Sequence, residues 1–268
     1  MTRMVVTILG CGSSGGVPRV AQGWGKCDPD EPRNRRRRCS ILIEREGVEG
    51  VTRVLVDTSP DLREQLIDAG VNALDAVVFT HEHADHTHGI DDLRPLALVM
   101  RRRVPVYADQ ATMDMLTSRF GYCFKTPPGS DYPPILTHHI IDSNSEFEIH
   151  GAGGAIRFQP FALEHGNLVA LGLRVEDFAY TPDVNAIPAR SEPHLEGLAT
   201  WVIDALRDTP HPTHFSLGDA LGWIARKKPQ QAVLTNLHTD LDYRRLLREL
   251  PEEIVPAYDG MRIIWQSQ

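Results

Sequence analysis

Short β-branched apolar runs recur along this chain, separated by polar stretches rich in glycine and proline and by segments of helical period. Val5–Leu9 is the first run, closed by Gly10-Cys11-Gly12-Ser13-Ser14-Gly15-Gly16. Ser40–Glu44 and Arg53–Asp57 read as paired strands across a turn near Gly47–Gly50, and Ala76–Thr80 reads as a buried strand. Leu62, Leu66 and Ala69 share one helical face, with Asp57-Thr58-Ser59-Pro60 as the expected cap of that helix. Ile90–Arg102 predicts a helix, Val104–Ala108 a strand, and Asp109 the start of another helix. Residues 121–134 form a loop containing proline and glycine, placed to cover a site.

The second half repeats the style. Strands are expected near 135–141, 146–150, 155–162 and 169–175, then at Phe178–Thr181, Thr200–Asp204, Gln231–Thr235 and Met261–Trp265. Leu217–Lys227 and Leu241–Leu250 are the expected helices. No repeat, low-complexity tract or linker interrupts the pattern, so residues 1–268 are expected to form a single α/β domain with helices outside two stacked sheets.

Candidate chemistry gathers where apolar runs end. Thr80-His81-Glu82-His83-Ala84-Asp85-His86 follows Ala76-Val77-Val78-Phe79 and puts three imidazoles and a carboxylate within six positions. Imidazole suits zinc and its neighbours, and carboxylate oxygen widens the choice to manganese or iron. The alternative is four titratable groups crowded together with nothing to bind, which costs desolvation or shifts their pKa values. His165, Asp183 and His238 each follow a further apolar run. Taken singly, each is more simply a solvent-facing or capping residue. Together they recur at the strand ends where sites in α/β folds converge.

Composition trims the options. The 268 residues carry a net charge of -8, which argues against a general nucleic-acid coat, so nucleic acid is not expected as a partner. A small anionic phosphoester substrate is compatible, because bound cations supply local positive charge. Cys11, Cys27, Cys39 and Cys123 lack CxxC spacing and read as free thiols. No apolar stretch approaches a membrane span, no secretory signal is evident, and a cytoplasmic location is expected. The glycine cluster lacks both the Lys-Ser/Thr ending of a phosphate loop and dinucleotide spacing. A homodimer stays open.

His81-Glu82-His83-Ala84-Asp85-His86 resembles the HxHxDH signature of the metallo-β-lactamase superfamily, and His165, Asp183 and His238 fall in the order of its remaining ligands. The resemblance implies a four-layer αββα sandwich with two divalent metal ions, zinc or manganese, with iron also admissible. It assigns His81, His83 and His165 to one metal, Asp85, His86 and His238 to the other, and Asp183 to both. It further implies hydrolysis by a metal-bridging hydroxide that Asp85 orients, with His214 of His211-Pro212-Thr213-His214 as the general acid.

Within the superfamily, the glycine-rich Gly10–Pro18 stretch, Gly89-Ile90-Asp91-Asp92-Leu93-Arg94-Pro95 and Tyr258-Asp259-Gly260-Met261 are similar to the phosphodiesterase branch, which includes a cyclic phosphoribosyl phosphodiesterase of phosphonate breakdown. That enzyme's extra structural zinc is not expected here, because the loop offers only Cys27 and position 241 is leucine. The function implied is a phosphodiesterase acting on small nucleotide-like or cyclic phosphate esters. Lactone or thioester hydrolysis on the same site is the alternative, and a non-catalytic binding protein of a cofactor-synthesis pathway is another. Asp92 and Arg94 either buttress the metal loop or form a helix-face ion pair. His88 is either a support for the ligands or exposed. Arg33 and Arg35–Arg38 either recruit anionic substrate or RNA or, the favoured reading, form a solvated strand edge making local ion pairs, and Asp259-Gly260 reads as a hairpin turn.

Overall fold

A computed structural model describes residues 2–267. The chain forms two compact units, the first from residues up to Leu9, Ser40–Arg157 and from Arg262, the second from Gly10–Cys39 and Phe158–Met261.

The first unit is built on a seven-stranded sheet in the order β14-β1-β2-β3-β4-β5-β6. Its strands are β1 (Arg3–Gly10), β2 (Ser40–Glu46), β3 (Val51–Val56), β4 (Ala76–Val78), β5 (Val104–Ala108), β6 (Leu136–Ile140) and β14 (Arg262–Gln266). The pairs β1–β14 and β2–β3 are antiparallel, whereas β3 to β6 run parallel. Parallel strands need crossovers, and α1 (Leu62–Asp68), α2 (Ala84–Thr87), α3 (Arg94–Met100) and α4 (Gln110–Phe124) lie in those connections. Leu62, Leu66, Leu93, Leu96, Met113 and Leu116 bury their side chains with Leu55, Val77 and Val106 of the strands. Asp109 caps α4 by accepting from Thr112 N at 2.8 Å.

The second sheet has the order β13-β12-β11-β10-β9-β8-β7. These strands are β7 (Phe147–Ile149), β8 (Ile156–His165), β9 (Leu168–Val175), β10 (Phe178–Thr181), β11 (Thr200–Asp204), β12 (Gln231–Thr235) and β13 (Ile254–Pro256). Helices α5 (Leu217–Lys227) and α6 (Tyr243–Glu249) cover it. Ala220, Ile224 and Leu246 share a core with Trp201, Ile203 and Leu234. Ser216 and Asp219 close a reciprocal capping box at the start of α5. Trp201 is fully buried and donates its Nε1–H to Thr181 Oγ1 at 3.0 Å, so its one polar atom is satisfied. Two seven-stranded sheets, each covered by helices, are the components of the expected αββα fold.

Several local expectations need correction. Asp57 does not cap α1: Asp61 occupies that position, and Asp57 is fully buried at φ 63. Residues 90–100 divide into a 3-10 turn, Ile90–Leu93, and α3, because Pro95 favours a fresh helical first turn. Strand β13 escapes notice in the sequence because three residues give too little alternation.

The arginine run is a solvated edge only in part: Arg33 and Arg35 are exposed and Arg37 makes an ion pair, but Arg36 turns inward. Arg36 is 2% exposed and donates to the carbonyl oxygen of Leu241 (2.8 Å) and to Asn34 Oδ1 (3.2 Å). Arg37 pairs with Asp259 at 3.0 Å, and Arg33 lies over the rings of Tyr243 and Tyr258. The N-terminal loop is thereby stitched to the segment around residue 240. Asp259-Gly260 does sit in a turn, but Asp259 also accepts from the backbone N–H groups of Cys11 (3.3 Å) and Arg37 (2.8 Å).

Candidate metal centre

In the first unit, β4 delivers the chain into the ligand loop. Thr87 Oγ1 donates to the His83 carbonyl at 2.8 Å, and Arg119 of α4 donates to the Glu82 carbonyl at 3.0 Å, so the loop is tied at two points. Asp57 organises the imidazoles. Its carboxylate accepts from Thr80 N (2.8 Å), Thr80 Oγ1 (2.8 Å) and His86 Nδ1 (2.7 Å). Burial raises the Asp57 carboxyl, while His86 and Thr80 pull it back down.

These bonds fix the ring protons. Thr80 gives its hydroxyl hydrogen to Asp57, so it accepts from His81 Nδ1 at 3.1 Å. His81 Nε2 is then the ring's acceptor nitrogen, 3.1 Å from His83 Nδ1. His86 directs Nδ1–H at Asp57 and presents Nε2 to Asp85 Oδ2 at 3.7 Å. Lone pairs facing another nitrogen and a carboxylate are what a cation satisfies, so these residues fit a divalent metal.

The second unit repeats this logic. His165, at the end of β8, gives Nδ1–H to the Thr213 carbonyl at 2.6 Å and turns Nε2 toward Asp183 Oδ2 at 3.5 Å. His165 and Asp183 are both 2% exposed. Asn236, at φ 61, donates to the Pro182 carbonyl and to Asp183 Oδ1, both at 3.3 Å, and so holds the aspartate. His214 places Nε2 3.9 Å from Asp183 Oδ2 and directs Nδ1 at Asp204 Oδ2, 2.9 Å away. Asp204 ends β11 and is fully buried, with no hydrogen-bond partner for Oδ1 among the described residues. Burial pushes its carboxyl up to about 7, against the pull of His214.

His238 is placed differently. Its Nδ1 meets Asp240 Oδ1 at 2.9 Å, and its Nε2 meets the guanidinium of Arg19. The donors able to hold an ion are His81, His83, Asp85 and His86 in the first unit and His165 and Asp183 in the second; among the described residues His238 does not join them.

Other candidates resolve plainly. His88 is exposed, with its ring against Phe120. Arg94 makes a helix-face ion pair at 2.7 Å, but with Asp91 and not with the expected Asp92. His211 Nδ1 accepts from Thr213 Oγ1 at 3.2 Å, and burial lowers its pKa. Asp57, Thr80, Asp204, Asn236 and Asp240 went unselected in the sequence, although Asp57 and Asp204 stand at strand ends like the ligands themselves.

Known proteins match this arrangement. The family model described as a β-lactamase superfamily domain matches residues 52–236. A solved structure, a new diphosphatase from the PhnP family, is 34% identical with a TM-score of 0.88, covering 99% of this chain and 98% of that one. Zn(2+)-bound PqqB from Methylobacterium extorquens shares the fold at 18% identity and a TM-score of 0.71, covering 97% of this chain and 99% of that one. A curated octanoyltransferase of Porphyromonas gingivalis is 33% identical over 262 residues, 96% of this chain but 51% of the relative, so the chain spans about half that relative's length. With its HxHxDH loop, its two helix-covered sheets and these matches, the chain belongs to the metallo-β-lactamase superfamily, in its phosphodiesterase branch.

Proposed function

We propose that this chain is a dinuclear metal-dependent phosphodiesterase acting on small nucleotide-like, cyclic or diphosphate esters. His81, His83 and His165 would hold one ion and Asp85, His86 and His238 the other, with Asp183 available to either. Donor pairs within each unit support most of this set: His81 with His83 and Asp85 with His86 in the first, and His165 with Asp183 in the second. When bound, two divalent ions would polarise the phosphoryl oxygens and make a water acidic enough to attack near neutral pH.

The chain's own residues supply the rest. Asp85 accepts a hydrogen bond from the attacking water, orients it and passes its proton toward solvent. The water oxygen bonds to phosphorus as the ester P–O bond breaks. His214 Nε2–H protonates the leaving oxygen. Asp204 holds the His214 ring in place through Nδ1 and favours its protonated form.

The observation that carries the phosphodiester reading is the pairing of half-buried His214 with fully buried Asp204, beside Asp183. Metal ligands alone would serve any hydrolysis in the superfamily, whereas an alkoxide leaving group needs an acid. The diphosphatase relative adds support for phosphoryl chemistry. A second reading is lactone or thioester hydrolysis on the same donors, favoured by the acyl chemistry in the name of the octanoyltransferase relative. Assay of metal-loaded protein against bis-nitrophenyl phosphate, 2′,3′-cyclic nucleotides, a dinucleoside diphosphate, lactones and thioesters decides. Turnover confined to the phosphate esters upholds the proposal. Turnover confined to lactones or thioesters replaces it, and full metal loading with no turnover returns the non-catalytic reading.

A further inference from the structure

We propose that Arg19 is the phosphate-recognising residue of this site and that it competes with metal for His238 Nε2, so that phosphate binding and metal binding at His238 are coupled. The inference rests on the hydrolase reading above and deepens it.

Arg19 follows the glycine cluster that the sequence singles out and that neither phosphate-loop nor dinucleotide chemistry explains. The loop is shaped to present it. Arg19 N donates to the Gly23 carbonyl at 2.9 Å, and Gly23 N returns the bond at 2.8 Å, closing a tight tip with Ala21 and Gly23 at positive φ. Its side chain then lies across Gly15, where any Cβ would overlap the guanidinium. The guanidinium ends within hydrogen-bonding distance of His238 Nε2.

On the imidazole side, Asp240 Oδ1 takes the Nδ1 hydrogen at 2.9 Å, which leaves Nε2 as an acceptor. The carbonyls of the same segment are pinned by Lys26 N on Thr239 O (2.8 Å) and Arg36 Nη1 on His238 O (3.4 Å). One lone pair serves an arginine N–H or a metal ion, not both. Arg19 must therefore leave Nε2 before His238 can ligate, and its loop keeps it close by.

The surroundings fit an oxyanion. His211 feels His214, Arg207 and His238, so two guanidinium groups and three imidazoles share this part of the second unit. Arg207 is occupied by the carbonyls of Thr209 and Pro210. Arg19 has no carboxylate partner among the described residues, and its planar fork matches two oxygens of a phosphate.

The test is calorimetric titration of Mn2+ into metal-free wild type and R19M, with and without inorganic phosphate, circular dichroism confirming that both are folded. Phosphate that ligates the metals directly will tighten Mn2+ in both proteins, so the informative quantity is the difference. We expect the second Mn2+ to bind R19M about tenfold more tightly than wild type without phosphate, and the tightening caused by phosphate to be about tenfold smaller in R19M. Phosphate affinity of the metal-loaded protein should fall about tenfold in R19M, and pyrophosphate affinity at least as much. Equal second-site affinity and equal phosphate response in the two proteins would overturn the role of Arg19 while leaving the hydrolase reading intact. A wild type that takes up no second Mn2+ under any condition would overturn both.

Discussion

His214 Nδ1 and Asp204 Oδ2 lie 2.9 Å apart, and the aspartate has no route to water. The pair is oriented like an acid and its holder, with Nε2 turned outward beside Asp183. His214→Ala should leave metal content unchanged and slow cleavage of a diester with an alkoxide leaving group by about 10²–10⁴-fold. A nitrophenyl diester, whose leaving group barely needs a proton, should lose far less. Equal losses on both substrates would remove the acid role. Asp204→Asn should fall between wild type and His214→Ala on the alkoxide substrate and shift the pH profile, a change that a merely structural residue would not produce.

Asp57 acts through the ligands it holds. Its carboxylate fixes His86 directly and His81 through Thr80. Replacement by alanine should weaken metal binding by about 10–100-fold, as for other residues that orient ligands. Equilibrium dialysis with manganese measures this, and unaltered affinity would show that the imidazoles orient themselves.

Gly89 closes the ligand segment. Its N–H donates to the Thr58 carbonyl at 2.9 Å, and a Cβ there would overlap the Ser59 carbonyl oxygen. Gly89→Ala should therefore lower the melting temperature by several degrees, a backbone clash being among the costlier single changes. Thermal denaturation that overlays on wild type would mean the backbone yields at little cost.

Asp259 supplies a pH signature. Burial raises its carboxyl from 3.8 to about 6, despite hydrogen bonds from the backbone and side chains of Arg37 and Cys11. A raised folded-state pKa means the folded protein holds the proton more tightly. The resulting stabilisation is fully present below about pH 4 and is lost as pH rises through about 6, by up to about 3 kcal/mol. Asp259→Asn removes this dependence, so urea unfolding should show wild type losing stability relative to the variant between pH 4 and 6.5. Parallel curves would contradict it.

Much of this was legible in the chain, for physical reasons. The β5 strand, Val104–Ala108, and the α5 helix, Leu217–Lys227, stand out because alternation and helical period are local properties. His81, His83, Asp85 and His86 stand out because contiguous ligands leave a dense signature. Asp57 and Asp204 did not, because their role depends on partners 29 and 10 residues away. Asp57 sat before a Thr-Ser-Pro stretch that mimics a cap. The arginines misled in a similar way. Arg36 looked like one charge of five, and only the bond to the Leu241 carbonyl shows it turned inward. His238 matched the expected ligand order, yet its Nε2 is held by Arg19, a contact across 219 residues.

The account stands most directly on metal stoichiometry. Protein stripped of metal, reloaded with manganese, passed through a desalting column and analysed for bound ion should retain about two ions per chain, and the His81→Ala/His165→Ala double variant should retain at most one. Wild type that emerges with no manganese or zinc under these conditions would contradict the central claim.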